Sequence, residues 1–207
     1  MRQSGMKNGI RRRERGAQLL ELALVLPLLL VLVAGGVDFA RAWNIRQILV
    51  NSARDGARLG ASQSLKDLNT TNPQSIQDIC QDVAAYLAQA HVDTTFMNGT
   101  TGNPAAGCSS PTAIANTTST ASNPVPLGWT YYSSGTYGLK IERTLQIAVT
   151  SGGTTTNVGT TRVTLNYPYN WAMGFDHILN LMSSGAGSGY GGPISIQVYS
   201  TMANIAN

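Results

Sequence analysis

From Leu22 to Val37 the chain has no charged residue, and counted from Ala17 the mostly apolar stretch is 21 residues long, with Glu21 its one charged residue. A helix of that length rises roughly 31 Å, at about 1.5 Å per residue, which matches the hydrocarbon thickness of a bilayer. Inside lipid every backbone N–H and C=O must find its partner within the segment, so a lone span of this kind has to be an α-helix. The rest of the sequence is read around that fixed element.

The formal net charge of +4 lies almost entirely ahead of the span. Residues 1–16 hold six basic side chains against Glu14, a balance of +5, whereas the remainder has eight basic and nine acidic residues. Arginines clustered before an apolar helix hold that end in the cytoplasm, which places the chain beyond Asp38 outside the inner membrane. Because the basic character belongs to this leader, a phosphate-binding surface has no support and no nucleic-acid partner is expected. At 207 residues the chain has room for a tether and one domain with its own core.

Three processing fates compete for the leader and span. A secretory signal peptide would be cut near Val33–Gly36, where small residues follow the apolar run, but the apolar stretch exceeds the usual length and the helical pattern continues past Gly36. An uncleaved signal anchor would keep Met1. A cut on the cytoplasmic side, after Gly16, would remove the arginines and leave Ala17 as the new N-terminus. The last fate explains Glu21. A lone carboxylate in hydrocarbon costs several kcal/mol, yet an α-amino group on Ala17, one helical turn away or on a neighbouring subunit, would compensate it. The competing reading is a carboxylate favoured at a helix start by the dipole and headgroups.

The segment "RGAQLLELALVLPLLL", with Gly16 before the cut and Glu21 as the fifth residue after it, resembles the processing site of type IV pilin-like proteins. The continuation "GGVDFARAWNIRQILVNSARDGARLGAS", residues 35–62, resembles the TadE-like minor pilins of the tight-adherence (Tad/Flp) pilus system. That resemblance implies a dedicated prepilin peptidase acting between Gly16 and Ala17, and a role for Glu21 in processing or in setting the register of assembly. It also implies the major Flp-type pilin, other minor pilins and an inner-membrane assembly platform as partners. Leu22 stands where the major Flp pilins have an aromatic residue, which favours a minor subunit.

Past the span the pattern stays helical. Val37, Trp43, Ile45, Ile48, Leu49, Ala53, Ala57 and Leu59 recur mostly at spacings of three and four, with Arg41, Arg46, Arg54, Asp55 and Arg58 between them. One helix from about Gln18 to Ala61 is expected, lipid-embedded first and packed on a soluble domain second. Pro27 within it is tolerated in a membrane helix, at the cost of a kink. A second helix follows in "NPQSIQDICQDVAAYLAQAHV", with Ser75 as N-cap, Asp78 as its capping-box partner and an apolar stripe through Ile76, Ile79, Cys80, Val83, Ala84 and Leu87.

Residues 94–135 turn to Thr, Ser, Asn, Gly and Pro and read as an irregular surface excursion. In an extracytoplasmic chain, the two cysteines, Cys80 and Cys108, favour a disulfide; two reduced thiols are the alternative. Strand alternation appears in Leu139, Ile141, Leu145, Ile147 and Val149, with Arg143 out of pattern, then in Val163, Leu165 and Tyr167, and last in Ile194, Ile196 and Val198. The turn-rich stretch between the first two reads as a long hairpin loop. A short helix is expected from about Asp176, and a glycine-rich loop over residues 183–192. Trp129, Tyr131, Tyr132 and Tyr137 read as packing residues before an adhesive patch.

Three Asn-X-Thr sequons arise by chance in loops of this composition. Neither His91 nor His177 lies in a ligand-spacing motif, and no nucleophile or paired carboxylate stands out, so no metal, cofactor or catalytic activity is expected. The expected fold is α+β and pilin-like: a long N-terminal transmembrane and amphipathic helix packed on a small antiparallel sheet, with a second helix. Its organisation is a cleaved leader over 1–16, a membrane helix over 17–38 and an extracytoplasmic domain over 39–207. A minor pilin or pseudopilin is the favoured function; the alternative is a signal-anchored ligand-binding module that never enters a filament.

Overall fold

A computed structural model describes residues 7–97, 103–115, 126–134, 136–151, 153–171 and 193–205. The chain divides into two compact units, Met1–Ala42 with Asn170–Gly192, and Trp43–Tyr169 with Pro193–Asn207. Helix α1 runs without interruption over Lys7–Ser62, with Pro27 inside it, and so starts 11 residues before the expected boundary at Gln18. The alternation of apolar and arginine-bearing turns needs no break there, and the leader joins the helix.

Within the first unit, every described residue from 18 to 30 is exposed, including Leu24 at 74%. This part of α1 is long and apolar enough to cross a membrane, and none of its most apolar window is buried by protein. Burial begins further along the helix.

In the second unit, α1 contributes Leu49, Ala53 and Ala57 to the core, all fully buried. Helix α2, Gln74–Gln89, adds Ile76, Ile79, Cys80, Val83, Ala84 and Leu87 as a buried stripe. The expected cap is corrected: the N-cap position falls to Pro73 and makes no side-chain cap bond. Ser75 lies inside the first turn, where its N–H and hydroxyl both donate to the Asp67 carboxylate, at 2.7 and 3.0 Å. Asp78 instead accepts from Gln74 and Gln63. Proline is favoured at a helix start because its missing N–H would have been unpaired there anyway.

The sheet has five strands in sequence order: β1 Thr112–Ile114, β2 Gly128–Ser134, β3 Tyr137–Ser151, β4 Thr154–Tyr169 and β5 Ile194–Ala203. Every neighbouring pair is antiparallel. Register aligns the buried side chains into rows: Trp129, Ile141 and Val163 in one, and Tyr131, Leu139, Leu165 and Val198 in the next. Since successive side chains alternate faces, one sheet face supplies the core and the other stays outside. The α+β, pilin-like arrangement is therefore the observed one.

Within the mostly irregular excursion over 94–135, the described residues include short 3-10 turns at Thr95–Met97 and Pro104–Ser109 as well as β1 and all of β2. Trp129 and Tyr131 on β2 are core residues, buried to 0% and 1% exposure, in line with the packing reading and not with an adhesive patch. One expectation fails: in place of a long hairpin loop, β3 and β4 pair as far as Ser151 with Thr154, closed by a tight turn in which Gly153 takes φ +82°. Threonine is β-branched and packs well on a pleated surface, so the Thr-rich stretch extends the strands. The helix expected from Asp176 and the glycine-rich loop lie outside the described residues.

Candidate functional site

Gly16 and Ala17 lie within α1, and Glu21 is exposed on the same helix one turn beyond Ala17. Residues four apart share a helix face, so an amine on Ala17 and the Glu21 carboxylate would be neighbours on one surface. Asp38, taken from hydropathy as the limit of the span, is fully buried and has an interaction partner. Just beyond it, the Arg46 guanidinium lies 5.5 Å from the centre of the Trp43 ring, close enough for a cation–π contact. Arg54 and Arg58 are exposed, in keeping with a solvated face.

The packed half of α1 owes its close contacts to glycine. A Cβ on Gly56 would fall 2.6 Å from a Val83 methyl, and one on Gly60 2.7 Å from the Thr161 methyl and 2.8 Å from Ile79. Each glycine thus lets α2 or the sheet approach the α1 backbone.

Where α1 ends, its last carbonyls need donors, and the last turn holds no basic residue. Arg143 of β3 supplies the donors from across the domain. Its Nη2 donates to the carbonyls of Gly60 and Gln63, at 2.6 and 2.7 Å, and its Nη1 to Ser64 O at 3.2 Å and Ser75 Oγ at 2.6 Å. Ser75 passes this charge to Asp67 through its own hydroxyl. The guanidinium is fully buried; burial pulls its pKa below the ordinary value while Asp67 pushes it back up. A planar fork of donors suits this task, since several carbonyls are met at once. In the same turn, Ala61 O accepts from the N–H of Ile205 at 2.9 Å and Leu59 O from the Ser62 hydroxyl at 2.8 Å.

Arg143 had stood out in sequence only as a break in strand alternation. Alternation with the fully buried Leu139 and Ile141 puts Arg143 on the core side of β3, within a register shift between Glu142 and Leu145 where β3 has one extra residue. A lone arginine on the apolar side of a strand was the available signal, but its acceptors lie roughly 80 residues away in sequence and no local pattern names them.

The disulfide Cys80–Cys108, with 5.6 Å between the Cα atoms, ties α2 to the Pro104–Ser109 turn. Closing a loop of this length contributes roughly 3.5 kcal/mol in the chain-entropy picture. The Tyr131 hydroxyl donates to Cys108 O at 3.2 Å, and burial pushes its pKa up. Among the described residues no group of His, Cys, Asp or Glu could hold a metal ion.

Residues 16–58 match the model of the TadE-like protein family. No curated protein and no solved structure matches the chain. The matched segment begins at Gly16 and runs through the exposed apolar helix into the small-residue stripe of the packed half.

Proposed function

We propose that this chain, whose residues 16–58 match the TadE-like family model, is a minor pilin or pseudopilin of a Tad-type surface pilus, matured by a prepilin peptidase that cuts between Gly16 and Ala17. The single observation behind this reading is that the family match starts on Gly16 and continues through an apolar helix whose side chains no protein covers.

In this mechanism the arginine-rich leader, residues 1–16, stays in the cytoplasm during insertion and is then removed. The helix over 17–38 remains in the inner membrane, and the extracytoplasmic domain over 39–207 carries the disulfide, which suits an oxidising compartment. The new α-amino group of Ala17 meets Glu21 of its own or an adjacent subunit, so that the charge pair sets axial register. Without that amine the carboxylate would stand unpaired in hydrocarbon, at a cost of several kcal/mol. Uncovered leucines on the helix then pack laterally against the major Flp-type pilin and other minor pilins, at the inner-membrane assembly platform.

Glu21→Gln tests the register role, because it keeps shape and removes charge. The expected result is normal membrane insertion with at least a tenfold loss of co-purified major pilin, about 1.4 kcal/mol of lost pairing. Undiminished co-purification would remove the register role.

A further inference from the structure

The β3–β4 hairpin outruns the sheet that carries it. On one side β2 pairs with β3 only as far as Trp129 with Ile141, and on the other β5 pairs with β4 only as far as Ala203 with Thr160. Beyond these points the hairpin continues for six residue pairs, from Gln146 with Gly159 to Ser151 with Thr154, the first of them still capped by the Asn204 N–H, which donates to Gly159 O. Among the described residues this ribbon has no strand beside it on either edge.

Exposed strand edges are ordinarily blunted by charge, proline or a covering element, because free N–H and C=O groups template further pairing. Among the described residues none of those devices is used here. Between Arg143 and Arg162, the 18 residues 144–161 include no charged residue and no proline. One ribbon face carries Ile147, Val149 and Val158, with Ile147 opposite Val158; Ile147 is 36% and Val149 48% exposed. The other face has a polar ladder, in which the Thr150 and Thr155 hydroxyls lie 3.0 Å apart. An isolated two-stranded ribbon is only marginally stable in water and gains from a third and fourth strand.

We propose that the free β4 edge, Thr154 to Val158, pairs antiparallel with the same edge of a second copy of this chain, making a four-stranded ribbon across a two-fold axis near Thr156. Charge selects this occupant. A charged strand laid along a neutral ribbon would lose solvent without gaining a counter-ion, whereas the ribbon itself is a neutral, threonine-rich partner. Antiparallel pairing of identical edges is what a two-fold interface permits, with threonine meeting threonine across the axis. The apolar strips of the two copies then form one continuous surface. Five-residue edges bury far less than the ~1,600 Å² of a standard interface, so the contact is weak for free molecules and becomes effective when both copies share one membrane. The pairing depends on membrane anchoring but not on cleavage at Gly16.

The test uses the full chain in phosphatidylcholine vesicles at a dilute protein-to-lipid ratio, oxidised and run on a non-reducing gel. Thr156→Cys places a thiol at the axis; Ala85→Cys, exposed on α2, measures random collision. The expected result is about tenfold more covalent dimer from Thr156→Cys than from Ala85→Cys, falling to the collision level when Thr155→Lys and Asn157→Lys are added. Equal yields from the two thiols would overturn the proposal, as would a yield that the lysines leave unchanged. Repeating the Thr156→Cys experiment in cells supplies the other occupants: cross-linking to a different membrane protein in place of a second copy also overturns it.

Discussion

Two parts of a single helix, α1, solve different solvation problems with different side-chain sizes. From Leu19 to Leu30 the helix displays leucine and valine outward, each of these side chains being 43% exposed or more. From Leu49 to Ala61 it offers leucine, then serine, alanine and glycine, and the buried positions come at helical spacing. Large side chains serve where no described part of the protein covers the helix, the stretch proposed to meet lipid and other helices. Small ones serve where α2 and the sheet press within van der Waals distance of the backbone. The backbone conformation is the same throughout, so the choice of side chain alone decides whether a turn faces a bilayer or a protein core.

The largest effect should come from the end of the packed half. Arg143→Met keeps an apolar stem but leaves the Gly60, Gln63 and Ser64 carbonyls and the Asp67–Ser75 pair without their donor. The expected loss is about 3–5 kcal/mol of domain stability, measured in detergent by near-ultraviolet circular dichroism as a fall in unfolding midpoint. An unchanged midpoint would mean the helix end finds other donors and that the guanidinium is dispensable.

A paired substitution sharpens the contrast directly. Gly56→Ala forces a methyl to within 2.6 Å of Val83 and should cost about 1–3 kcal/mol through overpacking. Leu24→Ala removes far more volume from an uncovered site, yet should change domain stability by less than about 0.5 kcal/mol. Equal effects in the same melting assay would erase the distinction between the two halves.

The smallest expected effect is a pH dependence where the packed half meets α2. Burial, and then the nearby charge of Asp55, raise the Asp82 pKa above its ordinary 3.8. The folded state therefore holds this proton more tightly than the unfolded chain does. The site favours folding fully below the unfolded value, and that gain fades as pH rises through the higher folded value. Acidifying from neutral pH should raise the unfolding midpoint slightly at this site, and Asp82→Asn should abolish that local rise. A midpoint difference between wild type and variant that stays constant with pH would contradict it.

Sequence pattern located the elements that announce themselves by period. The stripes of α1 and α2 and the alternation in β3, β4 and β5 depend on apolar spacing within one segment, and each was legible there. What escaped depends on distant residues. Strands β1 and β2 sit in Thr-, Ser- and Pro-rich surroundings and become strands through pairing, β2 with β3 and β1 in turn with β2. Ser75 matched the chemistry of an N-cap, but Pro73 took that place and Ser75 turned to Asp67. Arg143 acquires its meaning from a helix end far away in the chain. The proposed processing and register residues, Gly16, Ala17 and Glu21, rest on local chemistry alone: a small residue, a bond and a carboxylate within two turns.

The most direct measurement of the central claim is the intact mass of the N-terminal peptide from protein isolated from membranes of the native host. Maturation by a prepilin peptidase predicts a chain beginning at Ala17, with the arginines gone and a free amine one turn from Glu21. A chain that still begins at Met1, or one that begins near Gly35 to Val37, would contradict it.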